Sequence, residues 1–397
     1  MGSRADLEEF LGRIDRGKVA PVFLVTSGRN ASALVHSFLD GHREVLTIPS
    51  IFWFYLDWEI RLAPLAHSRD ALVDELIRRS SFGSDWYTTG LGRARDETID
   101  HRRDAVEAEL TRLLGDGPIS RRELFVALHL AYAAVHGIEL ADIHCLLQHH
   151  HFPLGSYGYR FFADPLCEEY EDTLPIFDAA IADFPGMKVL HSIRNPFDAF
   201  NSMLKAIVLP KGWLPIKSFY FGLYGILAGY QDASARRRQI GDRYRFVAFE
   251  DLHQRTEGTM RELAAFLGID FSPKLLTSTM GGKLWWGNNP SKPVNGADPA
   301  MVSERWRREL DERSLDFCAA LLNPLAQAYR YDPLPGRSKA DPRRPLRGES
   351  LGRLYYLGQC AGLVRSHAGD PPRLDFWKRY PRLRAKLVEH FWKVSRI

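Results

Sequence analysis

Residues 21–34, Pro21-Val22-Phe23-Leu24-Val25-Thr26-Ser27-Gly28-Arg29-Asn30-Ala31-Ser32-Ala33-Leu34, constrain the fold more than any other part of the chain. Val22 to Val25 is a short apolar run, the mark of a strand buried on both faces in a parallel sheet. Thr26-Ser27-Gly28 breaks it. From Arg29 to Asp40, Leu34, Val35, Phe38 and Leu39 recur at helical spacing. A strand, a glycine turn and a helix start make an anion site, because the free N–H groups of the first helical turn and the helix dipole both point into the turn. Arg29 adds a fixed positive charge there, and Ser27 and Ser32 add hydroxyls. Val189 to Ser202 repeats the pattern of strand, break and helix, with Arg194 at its break.

The first turn is not a Walker A loop, which needs a second glycine followed by lysine. The pair of turns instead resembles the sulfotransferase family, enzymes that use 3′-phosphoadenosine 5′-phosphosulfate. In the first loop, Ser27-Gly28-Arg29 and Leu34 match the family pattern S-G-[RK]-S-G-T-T-L, with Asn30, Ala31, Ser32 and Ala33 in place of S-G-T-T. In the second, Arg194, Asn195, Pro196, Asp198 and Ser202 match R-[ND]-P-x-D-x-x-x-S in full. Tyr244 to Leu252 with Phe266-Leu267-Gly268 is similar to the family's "YEDL … FLG" segment, and Ser303 to Leu310 to its "WR-x-x-L" segment. The resemblance covers about residues 20 to 332.

It implies an α/β, P-loop-like three-layer fold with a central parallel sheet of about five strands. It also implies sulfuryl transfer to a hydroxyl or amine acceptor by in-line displacement, with the sulfonated nucleotide as co-substrate and no metal. Backbone amides from Gly28 to Ala33 (Gly28, Arg29, Asn30, Ala31, Ser32, Ala33), with Ser27, would hold the 5′-phosphosulfate, and Arg29 would meet charge on the leaving oxygen. Arg194 and Ser202 match residues that bind the 3′-phosphate. Phe249 stands where the family has a Tyr near the adenine, and Lys292 lies in a polar loop able to close over the 3′-phosphate. The general base falls in His149-His150-His151-Phe152-Pro153, with His151 matching the family His and His149 the Lys of K-T-H-x-P. Histidine titrates near neutrality, which suits that task. Asp57 and Glu59 are reserve carboxylates. A metal site at the three histidines is disfavoured, since neighbours on a strand alternate faces and no third ligand accompanies His149 and His151.

Two rivals remain at this point: a P-loop phosphotransferase using ATP, opposed by the missing Walker lysine, and a non-catalytic nucleotide- or glycan-binding member of the same fold.

The remaining expectations concern organisation. Strands are predicted at 22–25, 44–48, 143–147, 187–193 and 245–249. A leading helix is predicted over 5–15, and an aromatic-rich helical stretch over 215–233. A mostly helical insertion over 51–137 is expected to cover the acceptor, with a capping box at Ser120-Arg121-Arg122-Glu123. The sulfotransferase domain is read as 1–335. A proline-marked linker opens a basic extension, 336–397, with helical stretches at 351–365 and 383–394. Residues 337–397 hold fifteen Lys/Arg against five Asp/Glu, near +10 on a chain whose net charge is +4, so the remainder is near −6. That asymmetry suggests peripheral contact with an anionic membrane surface, or self-association, through 336–397. No nucleic-acid partner is expected, and the acceptor is a small molecule, carbohydrate or lipid. Four scattered cysteines, Cys145, Cys167, Cys318 and Cys360, read as free thiols, and no apolar run reaches membrane-span length, so a cytoplasmic location is expected.

Overall fold

The computed structural model describes residues 3–83, 89–151, 176–203, 226, 229–230, 232–287, 293–309 and 312–334. Lys292, the segment after His151, most of 215–233 and the whole of 336–397 lie outside the described residues. The chain divides into two compact units. The first comprises Met1–Thr26, Ala31–Ile193 and Arg236–Val302; the second comprises Ser27–Asn30, Arg194–Ala235 and the chain from Ser303.

The first unit is built on a five-stranded parallel sheet. Its strands are β1 (Ala20–Thr26), β2 (Val45–Thr47), β3 (Cys145–His151), β4 (Lys188–Ile193) and β5 (Tyr244–Ala248), in the order β2-β3-β1-β4-β5. All five predicted strands are present, and β3 lies beside β1. Chain connections leave β1 toward β2 and leave β4 toward β5, in opposite directions. The carboxyl ends of that pair are the switch point at which open α/β sheets take ligands.

β1 is apolar throughout because both its faces are covered. Val22 and Leu24 belong to one cluster with Val35 and Phe38 of α2 (Ser32–Leu39). On the other face the Phe23 ring meets Tyr55 and Phe125, at 5.6 and 5.9 Å between centroids. Phe125 comes from α4 (Arg121–His136), which opens with the predicted capping box: the Ser120 hydroxyl accepts from the Glu123 N–H, and the Glu123 carboxylate from the Ser120 N–H. The leading helix, α1 (Arg4–Asp15), is likewise capped by Ser3. The family's third segment falls on β5 and two helices, α7 (Phe249–Gln254) and α8 (Thr256–Leu267).

Two expectations are corrected. First, α2 begins at Ser32 rather than Arg29, because Gly28, Arg29 and Ala31 all have positive φ (91°, 53° and 66°), which no right-handed helix accepts. Second, β3 runs through His151 instead of stopping at Leu147. Burial pushes His149 and His150 below the usual histidine range, so these two serve as core residues. The insertion is mostly helical, as its pattern suggests: it holds α3 (Arg103–Leu114), α4 and shorter helical turns over 54–65 and 69–79, two of them widened, at Trp58–Leu62 and Glu75–Arg79, together with an antiparallel hairpin, Thr89–Leu91 with Glu97–Thr98. Gly92 allows the hairpin: it has φ 78°, and a Cβ there would sit 1.8 Å from the Glu97 carboxylate.

Candidate functional site

Two groups of predicted residues can be located, one in each unit. In the second unit, the loop after β1 and the last turn of α6 (Pro196–Met203) meet directly: Arg29 Nε donates to Ser202 Oγ at 3.3 Å. These residues come from the two separate motifs, and the fold brings them into contact. Asn30 beside them is 1% exposed, and neither its amide nitrogen nor its amide oxygen has a partner among the described residues. A buried amide in that state costs about 1–3 kcal/mol unless something else satisfies it. Ser27 is buried, and Gly229 passes so close that a Cβ there would lie 2.5 Å from Ser27 Oγ.

Arg194 is fixed by its backbone. Its N–H donates to the Tyr230 hydroxyl at 3.0 Å, and that hydroxyl donates to the Arg194 carbonyl at 2.5 Å. The Arg194 side chain is 14% exposed and approaches Asp198 at 3.9 Å, an i,i+4 pair on one helical face. Pro196 takes the first helical position, where its missing N–H is harmless, and Asn195 Oδ1 caps the turn by accepting from the Phe197 N–H at 3.0 Å. Farther along α6, Asn201 donates to Glu309 at 2.5 Å and the Phe197 ring stacks on Trp306 at 4.7 Å. The two contacts anchor the residues that match the family's fourth segment.

In the first unit the histidines of β3 face α2. Ser32 Oγ lies 3.3 Å from His151 Nδ1, so His151 is held at the first residue of α2. His151 has φ 71° and is half-buried. His149 is 1% exposed; its Nδ1 is 3.1 Å from Nδ1 of His36, whose Nε2 is 2.9 Å from Thr47 Oγ1. Burial pushes His149 well below the usual histidine range, and the nearby His36, His151 and His150 add to that. The ladder between β1 and β3 slips between Leu24 and Val25, opposite His149 and His151 respectively, so His150 is the extra residue of a bulge. His150 is fully buried and is pushed down to about 3, mainly by burial.

The other candidates are dispersed. Glu59 pairs with Arg121 at 3.2 Å, and Arg121 also holds Asp183 at 2.6 Å. Phe249 is not the end of β5 but the first residue of α7, 6% exposed, with its ring 4.3 Å from His253. Asp57 is 4% exposed and accepts from the Ser81 N–H and hydroxyl; burial nevertheless raises its pKa. Among the described residues no cluster of His, Cys, Asp or Glu could hold a metal ion, and no helix is long and apolar enough to cross a membrane. Sequence reasoning missed Tyr230 and His36. Tyr230 lay in an aromatic-rich stretch read as core. His36 sits on the apolar side of α2, where i,i+4 spacing from Ser32 was the only signal.

A search of curated protein sequences finds no significant match. Among solved structures, the chain is similar to the sulfotransferase domain of the Synechococcus PCC 7002 olefin synthase, with 17% identity, 80% of this chain and 97% of that one covered, and a TM-score of 0.46. The corresponding values for the sulfotransferase domain of the curacin biosynthetic pathway are 15%, 80%, 99% and 0.44. A sulfotransferase from Mycobacterium avium gives 10%, 68%, 70% and 0.34. The sequence profile of the sulfotransferase family matches residues 21–273, which takes in both motif turns, all five sheet strands and the β3 histidines, and on that match the chain belongs to the sulfotransferase family.

Proposed function

We propose that this chain transfers a sulfuryl group from 3′-phosphoadenosine 5′-phosphosulfate to a hydroxyl or amine acceptor. The observation that carries this reading is the 3.3 Å contact between Arg29 and Ser202, which unites the two nucleotide-binding motifs. The donor set suits such a ligand. A guanidinium, a hydroxyl and the buried Asn30 amide nitrogen, which has no partner among the described residues, are donors that phosphate oxygens accept from. Arg194, with Ser202, is assigned to the 3′-phosphate. Ser27, the backbone from Gly28 to Ala33 and Asn30 are assigned to the 5′ side.

In the reaction, the bond between sulfur and the bridging phosphate oxygen breaks, and a new bond forms between sulfur and the acceptor oxygen or nitrogen. The bridging oxygen keeps the electron pair, and Arg29 meets its growing charge. His151 takes the acceptor's proton; Ser32, hydrogen-bonded to its Nδ1, orients the ring. Glu59 is a weaker candidate for the base, because Arg121 already engages its carboxylate. Phe249 and Lys292 are assigned to the nucleotide by resemblance alone.

Calorimetry tests the donor assignment. The product, adenosine 3′,5′-bisphosphate, should bind at least about tenfold more tightly than plain 5′-adenylate, roughly 1.4 kcal/mol, as expected for one charge-assisted contact. Equal affinities would overturn it. Binding without sulfuryl transfer to any acceptor extract would point instead to a non-catalytic member.

A further inference from the structure

We infer that Thr47, His36 and His149 form a tautomer lock that keeps His149 neutral and leaves His151 as the histidine that takes the acceptor's proton. This rests on the assignment of His151 as base. The three residues come from three adjacent elements, β2, α2 and β3, and all are buried. His36 Nε2 meets Thr47 Oγ1 at 2.9 Å, and the two Nδ1 atoms meet at 3.1 Å with the rings nearly perpendicular (89°). The His149 and His151 rings lie 5.7 Å apart between centroids.

Hydrogen-bond chemistry fixes much of the rest. A bond between two Nδ1 atoms needs one proton, so one imidazole donates and the other accepts. Two arrangements satisfy this. In the first, His149 Nδ1–H donates to His36 and His36 Nε2–H donates to Thr47, leaving a lone pair on His149 Nε2. In the second, every donor and acceptor is reversed, and His149 Nε2 carries a proton. That nitrogen is buried with no partner among the described residues. A buried N–H without an acceptor is less tolerable than a buried lone pair without a donor, which selects the first arrangement. The charged and titratable groups facing the pair do not reverse this choice, since both arrangements leave one proton on each ring: Asp40, the C-cap of α2, lies near His36, and β3 contributes only His150 and His151. Leu24 and Val25 of β1 carry no charge.

His151 and His149 are too close for both to be charged. With His149 neutral and closed off by His36, a proton arriving from the acceptor has one imidazole to occupy. Thr47 and His36 are positioning residues: they act through His149 and touch none of the reacting atoms.

The lock can be read directly by two-bond 1H–15N spectra of the histidine-labelled full chain, together with kinetics. His36 and His149 should stay neutral from pH 5 to 8, with His149 protonated at Nδ1 and His36 at Nε2, while His151 titrates. Thr47→Val keeps the shape but removes the acceptor of His36 Nε2–H. It should erase the preference, giving a mixture of both tautomer pairs, and lower kcat about tenfold with donor KM within twofold, and Thr47→Ser should restore the original pattern. Titration of His149 within that range in the unaltered protein would overturn the proposal. So would a Thr47→Val variant that melts earlier but keeps the tautomers and the rate, since that is packing alone. Full turnover in His151→Gln would defeat the base assignment, whereas an intact tautomer pattern in that variant would still support the lock between Thr47, His36 and His149.

Discussion

The turns that carry Arg29 and Arg194 perform the same task, ending a central strand and opening a helix, yet they are held in different ways. The turn at Arg194 supplies its own support: Pro196 at the first helical position, the Asn195 cap, and the Tyr230 hydroxyl bridging both backbone groups of Arg194. The turn at Arg29 has no side-chain cap on its helix. It places two non-glycine residues, Arg29 and Ala31, at positive φ and buries an amide without a partner among the described residues. It is the less relaxed of the two, and it departs from the family pattern at Ala31, where that pattern has glycine. Left-handed backbone at a non-glycine residue persists only where the surroundings impose it. Here the flanking strand and helix, both fully buried around Leu24 and Val35, do so.

The largest expected effect would strike the roots of both turns at once. His191 lies in β4, which leads into the second turn, and His150 lies in β3, paired with β1. His191 and His150 are pushed down to about 3 and His36 and His129 to about 4, chiefly by burial. Because their folded values are depressed, the unfolded chain binds protons first as pH falls below the ordinary value of about 6.5. Stability is therefore full above that value and is lost as pH falls toward 4 and 3. Each group removes up to about 1.4 kcal/mol per pH unit. Four such groups exceed a typical domain's stability of about 5–15 kcal/mol within two to three units, so acid unfolding should centre above pH ~4. A far-ultraviolet dichroism titration measures this. A midpoint near pH 2 would mean that the histidines charge in place.

The next effect separates the turns by role. Arg29→Ala should lower kcat about 100-fold or more with donor KM changed only a few fold, since its charge is needed most as the leaving oxygen develops. Arg194→Ala should do the reverse, weakening the 3′-phosphorylated nucleotide and sparing kcat. If both variants raised only KM, the division into chemistry and recognition would collapse.

The smallest effects test the supports themselves. Tyr230→Phe removes the partner of two Arg194 backbone groups and should destabilise by about 1–2 kcal/mol. Ala31→Gly relieves left-handed strain and should stabilise by about 0.5–1 kcal/mol. Thermal melts of the two variants, compared with the unaltered chain, should move in opposite directions. The contrast fails if Ala31→Gly melts earlier.

These differences explain what could be read in advance. Strands such as Val22–Val25 and Met187–Ile193 were legible because burial on both faces writes a continuous apolar run. The Arg194 turn was legible because two of its supports, Pro196 and the Asn195 cap, are local in sequence. The end of β3 was not, since the apolar rule stops at Leu147, before Gln148, and does not count a buried imidazole as core. The start of α2 was misjudged because Ala31 gives no sign of a left-handed backbone. The pairing of His36 with His149, and of Tyr230 with Arg194, depends on contacts 113 and 36 residues apart in the chain, which no window of sequence contains.

The strand order bears also on how the chain reaches this state. β1, at the centre of the sheet, has β3 and β4 as neighbours, and its register begins with Ala20 opposite Cys145, a separation of 145 − 20 = 125 residues. Once β1 has left a ribosome it therefore has no partner in this sheet until well over a hundred further residues have followed. At about 5–20 residues per second that is a wait of roughly 6–25 s. During it, Val22, Phe23, Leu24 and Val25 form an unpaired apolar edge, and closing so long a loop is intrinsically slow. The central position of β1 in the sheet thus makes it a segment that a chaperone would shield during synthesis.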